Sequence, residues 1–337
     1  MPTNLPPEAD AAEKRYRAAT SLPERIACLE EWISLIPKHK GTDHLRADLR
    51  KRLSELRAET QERKTGSRRE SLYRVPKEGA GQVVVLGPPN VGKSALVAAL
   101  TKATPLVADY PYTTREPTPG MMKFEDVSIQ LIDTPPLDRE HIEGELLDLC
   151  RRADLILLLI DLQTDPDRQL LDTLAILREN GIQLCPHNAD PGPAGPGACK
   201  RLLVVANKAD DEATEELLEL FHELCAEHGN SVPPLGGWTC VPISITAGRN
   251  LERFKKAVFE GLDVIRVYAK PQGKPPDMTA PFILKRGSTV QEMAAKVHRD
   301  FLDKLVAARV WGSAEFDGQM VQRDYVLQDK DVVELRI

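Results

Sequence analysis

Residues 87–94 read GPPNVGKS and carry the clearest chemistry in the chain. They fit the pattern G-x-x-x-x-G-K-[ST], between an apolar run (82–86) that predicts a strand and an amphipathic run that predicts a helix. In that context backbone N–H groups cradle phosphates, the lysine reaches the β- and γ-phosphates, and the hydroxyl binds Mg²⁺. We therefore predict a phosphate site with Lys93 as its cation and Ser94 as a metal ligand. The predicted site residues of this loop are Pro89, Asn90, Val91, Gly92, Lys93, Ser94 and Ala95.

A second motif, NKAD at 207–210, follows a predicted strand and is suited to reading a base. The carboxylate of Asp210 can accept hydrogen bonds from guanine N1–H and its exocyclic amine, whereas adenine offers neither donor there. The aliphatic stem of Lys208 can cover the face of the base. Asn207 can tie this loop to the phosphate loop. The motif predicts a guanine nucleotide, GTP or GDP, as the ligand.

Ser244 and Ile245 follow the predicted strand 238–243 and stand where a loop would point backbone N–H groups at guanine O6. The amino group of adenine would clash with such donors, so the position favours guanine as well. Use of ATP remains an alternative for relatives in which the base-reading motif is altered. The intact NKAD argues against it here.

Two further stretches of sequence are predicted to bind Mg²⁺ and the γ-phosphate. Asp133 ends the predicted strand 128–133, where its carboxylate can hold the water shell of Mg²⁺. The loop YPYTTREPTPG (110–120) would bring Thr113 or Thr114 to Mg²⁺ and the γ-phosphate, as a segment ordered by nucleotide. A threonine-rich loop without such a role remains the alternative reading.

The residues after Asp133 depart from the usual pattern of a switching GTPase. Such proteins place a glycine three positions after the aspartate and use its N–H to contact the γ-phosphate. Pro136 occupies that position here and has no N–H. Leu137 then stands where Ras-type enzymes carry the glutamine that orients water. Neither γ-phosphate sensing nor hydrolysis can use the usual atoms of this segment.

The elements that must position these residues alternate along the middle of the chain. Short apolar runs that predict strands alternate with amphipathic runs that predict helices, which indicates an α/β fold with a doubly wound, mostly parallel sheet. Ligand loops of such sheets lie at the carboxyl ends of the strands. The predicted strands are 82–86, 128–133, 154–160, 201–206 and 238–243, and the predicted helices are 93–102, 140–152, 166–180, 212–228 and 249–262.

The two ends of the chain have different patterns. Apolar residues at helical spacing predict an antiparallel hairpin of helices over 22–36 and 42–56. From Val264 onward, strand-like pieces surround one amphipathic helix (290–304), which indicates a compact α+β module. The predicted domains are an N-terminal helical region with linker at 1–80, a P-loop G domain at 81–264 and a C-terminal domain at 265–337.

Charge is uneven along the 337 residues, although the net charge is only −6. Residues 45–78 contain eleven Lys and Arg against six Asp and Glu. A run of this kind is typical of a solvated helix face, and it also suits contact with RNA phosphates. The two readings predict different salt dependence of any RNA association.

Composition also bears on the cellular compartment. The six cysteines show no C-x-x-C pair or framework spacing, which is typical of reduced thiols in the cytosol. The first residues lack the apolar core of a signal peptide. The longest apolar run (155–160) is too short to span a membrane. We expect a cytoplasmic protein without membrane contact.

Together these motifs resemble the Obg-like GTPases, and within them the developmentally regulated GTP-binding (DRG) proteins. The resemblance rests on the phosphate loop with Asn90, YPYTT, NKAD, and ISITAGRNL where relatives read ISA-x-TG-x-GL. The segment IPKHKGTDHLRADLRKRLSELR resembles the helical part that precedes the G domain in DRG proteins. Residues 265–337 resemble a TGS domain, a ubiquitin-like β-grasp module. The likeness covers nearly everything after residue 20.

The resemblance implies GTP binding with Mg²⁺, slow hydrolysis, and association with ribosomes or translating RNA. It implies Thr114 rather than Thr113 as the magnesium ligand. Asn90 matches the asparagine that coordinates K⁺ in potassium-stimulated relatives, where the cation supplies the positive charge of an arginine finger. These families generally have a hydrophobic residue at the position of Leu137. Relatives keep the glycine that is Pro136 here, and the domain that eukaryotic DRG proteins insert between Asp161 and Asn207 is absent.

We therefore expect a GTP-hydrolysing regulatory protein of translation in which Lys93, Asn90 and Thr114 assist hydrolysis, with Mg²⁺ at Ser94, Thr114 and Asp133. Residues 45–78 and the TGS domain are the expected contacts with RNA or the ribosome. The alternative is a nucleotide-binding scaffold with little turnover, which Pro136 and Leu137 favour.

Overall fold

The structure is a computed structural model in which two compact units, Met1–Arg74 and Val75–Ile337, are distinguished. The described residues are 6–19, 22–37, 42, 45–54, 56, 73–101, 116–137, 139, 142–188, 199–211, 213–227, 240–298, 301–302 and 305–336.

Helices α1 (Pro7–Ala18), α2 (Leu22–Leu35) and α3 (45–54) make up the first unit. The predicted hairpin corresponds to α2 and α3, whereas α1 was not predicted. Its buried residues include the alanines Ala9 and Ala12, which give a weak apolar signal. The helices share one core, formed by Ala9, Ala12, Leu29, Trp32, Ile36, Leu49 and Leu56.

One basic residue of this unit does not belong to a solvated helix face. Arg46 is buried, and its Nη1 donates to the carbonyl of Ile36 at 2.6 Å, just beyond the end of α2. A carbonyl at a helix C-terminus has no partner within the helix, and a guanidinium satisfies it well. Arg46 therefore stabilises the turn after α2 and is not available to bind RNA phosphates. Residues 57–72, which contain five of the eleven basic residues, lie outside the described part.

The first sheet of the second unit confirms the predicted mostly parallel α/β architecture. Its strand order is β2-β3-β1-β4-β6-β5, with β7 also paired to β6, and every pair except β2–β3 is parallel. The strands are β1 (Gln82–Leu86), β2 (Thr118–Phe124), β3 (Val127–Asp133), β4 (Leu155–Asp161), β5 (Leu184–Pro186), β6 (Lys200–Asn207) and β7 (Cys240–Pro242).

Five helices flank this sheet among the described residues: α4 (Lys93–Leu100), α5 (Gly144–Arg152), α6 (Pro166–Glu179), α7 (Ala213–Glu227) and α8 (Leu251–Leu262). Because helices cover the central strands, β1 and β4 are buried along their whole length, and this burial explains their continuous apolar sequences. In the described part of the chain, no helix has both the length and the apolar character needed to cross a membrane.

Strand β2 was missed by the sequence analysis. It is an edge strand with Pro119 and Gly120 in its first half, and both residue types weaken a strand signal. It pairs antiparallel with β3 through a tight turn at Glu125, whose φ is 48°. The alternation of buried Gly120 and Met122 with more exposed neighbours is the signal that was available. The three-residue strand β5 was also missed.

A second, five-stranded sheet follows α8, in the order β11-β10-β12-β8-β9. Its strands are β8 (Val264–Ala269), β9 (Phe282–Lys285), β10 (Ala307–Trp311), β11 (Gln319–Val321) and β12 (Asp331–Arg336). Helix α9 (Val290–Val297) packs on one face, which confirms the predicted α+β module. A capping box between Thr289 and Glu292 starts α9, and the helix ends before the extended residue His298, earlier than the predicted 304.

The two sheets are joined by a charged group that we call the Arg266 cluster. It comprises Arg266 and Tyr268 of β8, Glu125 and Asp126 of the β2–β3 turn, and Asp329. The buried guanidinium lies 2.5, 2.9 and 2.7 Å from carboxylate oxygens of Glu125, Asp126 and Asp329. Tyr268 donates its hydroxyl hydrogen to Asp126. The cluster fastens the hairpin that leads to Asp133 onto the second sheet.

Candidate nucleotide-binding site

The phosphate loop connects β1 to α4 through backbone conformations that favour glycine. Gly87 has a φ of 151°, and an added Cβ would lie 2.3 Å from the carbonyl oxygen of Leu159. Gly92 has a φ of 97°, and its Cβ would lie 2.7 Å from Nδ2 of Asn207. Side chains at these positions would push the loop away from its neighbours. The two glycines of the motif therefore fix the path of the loop.

Lys93 begins α4 and is only 7% exposed. Its ammonium donates to the carbonyl oxygens of Gly87 and Pro88, at 2.9 and 2.7 Å. Burial lowers the pKa of Lys93 to about 8, and the charge of Asp133 offsets only part of this effect. Among the described residues, Lys93 forms no salt bridge. The site thus contains a buried cation that is stabilised by dipoles and suited to an incoming anion.

A hydroxyl and a carboxylate meet beside Lys93. Ser94 Oγ donates to Asp133 Oδ2 at 2.6 Å, and Asp133 is fully buried at the end of β3. These hard oxygen donors fit Mg²⁺, which commonly takes one or two protein ligands and completes its shell with water and phosphate. The described residues contain no cluster of three or more His, Cys, Asp or Glu that could enclose a metal. Thr113 and Thr114 lie outside the described residues.

The segment after Asp133 is fastened to the phosphate loop. Thr134 Oγ1 donates to the carbonyl of Val85 at 2.6 Å. The N–H of Leu137 donates to the carbonyl of Gly87 at 3.3 Å, and its side chain is buried. Pro136, between them, has no N–H to offer. Gly87 O therefore accepts from both Lys93 and Leu137, which connects the phosphate loop to this segment.

The base-reading loop is tied to the phosphate loop by Asn207. Its Nδ2 donates to the carbonyl of Val91 at 2.8 Å. The N–H of Ala209 donates to the carbonyl of Ile243 at 3.0 Å, so the loops after β6 and β7 also hold each other. Ile245 packs against the core next to these loops. Loops from three strand ends are thus connected by hydrogen bonds around one cleft.

Two hydroxyls hold the carboxylate of Asp210. Its Oδ1 accepts from Ser244 Oγ at 2.5 Å and from Thr246 Oγ1 at 3.1 Å. Ser244 Oγ in turn accepts from the N–H of Ala247 at 3.0 Å. Within the described part of the chain, no hydrogen bond reaches Oδ2, so this exposed oxygen is available to a ligand. Thr246 was missed by the sequence analysis; a hydroxyl two residues after Ser244 was the available signal.

Lys208 is held by a carboxylate that the sequence analysis also missed. Its Nζ lies 2.5 Å from Oδ2 of Asp161, the last residue of β4. Lys208 has a φ of 65°, a left-handed conformation that its surroundings must maintain. An acid at the end of an otherwise apolar buried strand was the available signal. The salt bridge directs the Lys208 side chain toward β4.

The predicted site residues therefore gather at one edge of the sheet. The carboxyl ends of β1, β3, β4, β6 and β7 supply the loops, as expected for a doubly wound sheet. Pro89 and Asn90 lie in the open part of the phosphate loop, where Asn90 has a φ of 64°. Ala95 lies in the first turn of α4. Of the predicted site residues, only Thr114 and its alternative Thr113 fall outside the described part.

The fold and the cleft together define a P-loop protein of the guanine-nucleotide-binding class. Two family matches agree with this class: residues 82–186 match the family described as 50S ribosome-binding GTPase, and residues 265–337 match the TGS domain.

Relatives that span nearly the whole chain give the family. An uncharacterized GTP-binding protein of Methanocaldococcus jannaschii is 32% identical over 93% of this chain and 92% of its own. The chain therefore belongs to the family of GTP-binding proteins that includes this relative. Mouse developmentally-regulated GTP-binding protein 2 is 25% identical over 93% of this chain and 98% of its own.

A solved structure supports the fold. The YchF GTPase of Schizosaccharomyces pombe superposes with a TM-score of 0.55 at 14% identity, covering 77% of this chain and 99% of that one. At this identity the likeness concerns the fold alone. It agrees with the α/β fold described above.

Proposed function

We propose that this GTP-binding protein is a slow, Mg²⁺-dependent GTPase of the DRG group of Obg-like proteins that acts in translation. Its proposed domains are the helical region 1–80, the G domain 81–264 and the TGS domain 265–337. Its proposed nucleotide site is the cleft around Lys93 and Asp210. The observation that carries the proposal is the buried Lys93 ammonium, which is held only by carbonyl oxygens among the described residues. It lies in the phosphate loop, which Asn207 ties to the base-reading loop that carries Asp210.

The phosphate side of the proposal assigns each residue a task. Backbone N–H groups of the loop and of the first turn of α4 bind the phosphates, and Lys93 bridges the β- and γ-phosphates. Ser94 and Asp133, with Thr114, would hold Mg²⁺. When bound, this ion neutralises charge that develops on the phosphates. Asn90 is the proposed K⁺ ligand, since its side chain lies in the open part of the loop.

The base side of the proposal assigns selectivity to Asp210. Its Oδ2 accepts from guanine while Ser244 holds Oδ1, and Ile245 contributes its backbone N–H toward guanine O6. Asn207 keeps this loop at a fixed distance from the phosphate loop. Replacing Asp210 with Asn should shift preference from guanine toward xanthine nucleotides, because the guanine donors would face an amide.

Hydrolysis is expected to be slow because the segment after Asp133 lacks its usual groups. Leu137 carries no side-chain hydrogen-bonding group with which to orient water, and Pro136 has no N–H. Water would be placed by Thr114 and its loop. Nucleotide state would then be sensed chiefly through that loop and less through residues 134–137.

A nucleotide-binding scaffold with little turnover is the second candidate, and one contact favours it. The hydrogen bond from Leu137 N–H to Gly87 O fastens the segment after Asp133 to the phosphate loop. Single-turnover hydrolysis in KCl and in NaCl separates the two candidates. GTP cleavage that is faster in KCl supports the GTPase. Cleavage at the uncatalysed rate in both salts supports the scaffold.

Replacement of Lys93 by Ala tests the nucleotide site. A buried charge contact with phosphate is worth several kcal/mol, so GTP affinity should fall at least about a hundredfold. Lys123 lies on β2 away from this cleft and provides a control, since Lys123→Ala should bind GTP like the wild type. Unchanged GTP affinity of the Lys93→Ala variant would refute the site.

Association with ribosomes or RNA is proposed for residues 45–78 and the TGS domain, in the cytoplasm. The family description "50S ribosome-binding GTPase" supports it, as does the basic run, of which Arg50 and Lys51 are exposed. Cosedimentation with ribosomes should fall steeply as salt rises, because phosphate contacts release counterions. If association is absent or insensitive to salt, the basic run is a solvated helix face and does not contact RNA.

A further inference from the structure

Asp161 is a buried carboxylate to which neither the motifs nor the proposed function assigns a task. It ends β4, is 4% exposed, and its Oδ2 lies 2.5 Å from the Lys208 ammonium. A carboxylate in such a position needs hydrogen bonds or a counter-charge, since a buried unpaired charge is costly. Lys208 supplies that charge. The pair is therefore a fixed feature of the fold around the base-reading loop.

The surroundings of Asp161 prevent its carboxylate from turning away. Its Oδ1 accepts from the N–H of Gln163 at 2.9 Å. Its own backbone N–H donates to Oε1 of Gln169 at 2.9 Å. Both carboxylate oxygens thus have defined partners, one on the chain that follows β4 and one on Lys208. Asp161 is a rigid anchor for the lysine.

The register of the sheet places this anchor directly beside the base-reading motif. Asp161 pairs with Asn207 in the parallel β4–β6 ladder, and the N–H of Leu162 donates to the carbonyl of Asn207 at 3.1 Å. Lys208 follows Asn207 in a left-handed conformation and sends its side chain back to Asp161. The aliphatic stem therefore spans from the base-reading loop to the end of β4, with its side chain 38% exposed.

We propose that Asp161 is a positioning residue for nucleotide binding that acts through Lys208. By holding the ammonium, Asp161 fixes the lysine stem as one wall of the guanine pocket. It does not touch the nucleotide. This inference rests on the proposed site, because it requires that the base lie against Lys208. Its functional consequence is slower release of nucleotide.

Contact between a lysine stem and a purine face has the same strength for any purine. Loss of the anchor should therefore weaken guanine and hypoxanthine nucleotides equally, whereas damage to Asp210 should affect guanine more, because hypoxanthine lacks the exocyclic amine. The ratio of GDP to IDP dissociation rates separates a role in the base wall from a role in base reading. A weakened phosphate loop would also preserve this ratio, because GDP and IDP carry the same phosphates, and the double-mutant cycle with Lys208 distinguishes that case.

The test measures dissociation of fluorescently labelled GDP and IDP from the full chain. Asp161→Asn keeps the size of the side chain and removes its charge, and it should release both nucleotides about five- to tenfold faster at an unchanged ratio. Asp161→Glu, which keeps the charge, should release them at an intermediate rate. Dissociation at the wild-type rate from Asp161→Asn would overturn the proposal.

A double-mutant cycle connects the effect to Lys208. Lys208→Met keeps the apolar stem without the ammonium and should also release nucleotide faster. Adding Asp161→Asn to Lys208→Met should then change the rate less than about twofold. If Asp161→Asn has its full effect in the Lys208→Met background, Asp161 acts by another route and the proposal fails. Should Asp161→Asn not fold, the Asp161→Glu rates and the Lys208→Met rate test the same prediction.

Asp154 gives a matched control at the other end of β4. It directly precedes the strand and also pairs with a lysine, Lys77. Asp154→Asn should leave GDP release unchanged. If the wild-type protein binds no guanine nucleotide, the proposed function fails. If the wild type binds GDP and Asp161→Asn behaves like Asp154→Asn, only the inference about Asp161 fails.

Discussion

Two buried cations in the second unit have opposite surroundings. Lys93 in the nucleotide cleft is 7% exposed and donates to two carbonyl oxygens. Arg266 at the junction of the two sheets is 3% exposed and contacts carboxylates of Glu125, Asp126 and Asp329. Burial lowers the pKa of Lys93 to about 8, whereas the hydrogen bonds that Arg266 donates to Asp329 and the other carboxylates raise the pKa of Arg266.

This difference distinguishes a binding site from a structural contact. The charge of Arg266 is already balanced inside the protein, so the cluster stabilises the fold and leaves no role for a ligand. Lys93 contacts dipoles but no carboxylate among the described residues, and a phosphate would supply the missing negative charge. Perturbed cations in a cleft are common at functional sites, and Lys93 meets that description while Arg266 does not.

Arg266→Met is expected to have the largest effect on stability. It leaves Asp126 and Asp329 without their cation, whereas Glu125 keeps its contact with Lys330 at 3.3 Å. Removing one partner of such a buried pair costs about 3–5 kcal/mol of unfolding free energy. Chemical denaturation measures the loss. Arg286→Met is the control: Arg286 is about half exposed and pairs with Asp263, so its loss should cost less than about 1 kcal/mol. Equal losses for the two variants would contradict the structural role of Arg266.

The affinity for GDP should depend on pH through Lys93. In the free protein its pKa is about 8, and contact with phosphate raises the pKa in the complex. Affinity is therefore at its full value well below pH 8, is about halved near pH 8 and decreases further as pH rises. At pH 9 it should be about tenfold weaker than at pH 7. A flat affinity across this range, measured by calorimetry, would contradict the lowered pKa of Lys93 in the free protein.

Replacement of Thr246 by Val tests how the carboxylate of Asp210 is held for reading the base. Two hydroxyls on one oxygen fix the plane of the Asp210 carboxylate, so loss of one should lower the preference for GDP over IDP about three- to fivefold. Thr246→Ser retains the hydroxyl and should restore the wild-type ratio. A ratio that does not change in Thr246→Val would show that Ser244 alone holds the carboxylate.

The smallest expected effect is that of Lys93→Met on the stability of the nucleotide-free protein. Removing a buried charge that lacks a contacting carboxylate should leave the unfolding free energy at pH 7 unchanged or raise it by up to about 1 kcal/mol. The sign is opposite to that of Arg266→Met. If Lys93→Met lowers the unfolding free energy by several kcal/mol, Lys93 stabilises the fold as Arg266 does, and the distinction between a binding cation and a structural cation fails.

Local patterns made much of this molecule predictable from its sequence. The spacing of Gly87, Gly92 and Lys93 and the apolar runs of β1, β4 and β6 are signals within a few residues, and the structure places these elements as expected. The mostly parallel pairing of the sheet follows from the alternation of strands and helices, whereas the order of its strands was not predicted. These features depend little on what distant parts of the chain do.

The remaining features of the site could not be predicted, because they depend on which strands and loops lie side by side in the folded chain. Asp161 acquires its partner only because β4 pairs with β6, and Thr246 reaches Asp210 across the gap between two loops. Arg266 meets Glu125 across 141 positions of sequence, which no local pattern encodes. Strand β2 was missed because edge strands tolerate the Pro and Gly that normally argue against a strand.

Proton uptake during nucleotide binding tests the central claim most directly. If Lys93 is a half-protonated cation at pH 8 that phosphate binding fully charges, binding of GDP should take up about half a proton per molecule at that pH. Calorimetry in buffers of different ionisation enthalpy measures this number, and uptake should approach zero at about pH 6.5. Binding at pH 8 without proton uptake would contradict a Lys93 pKa of about 8 in the free protein, and with it the account of a buried cation that lacks its balancing charge until phosphate binds.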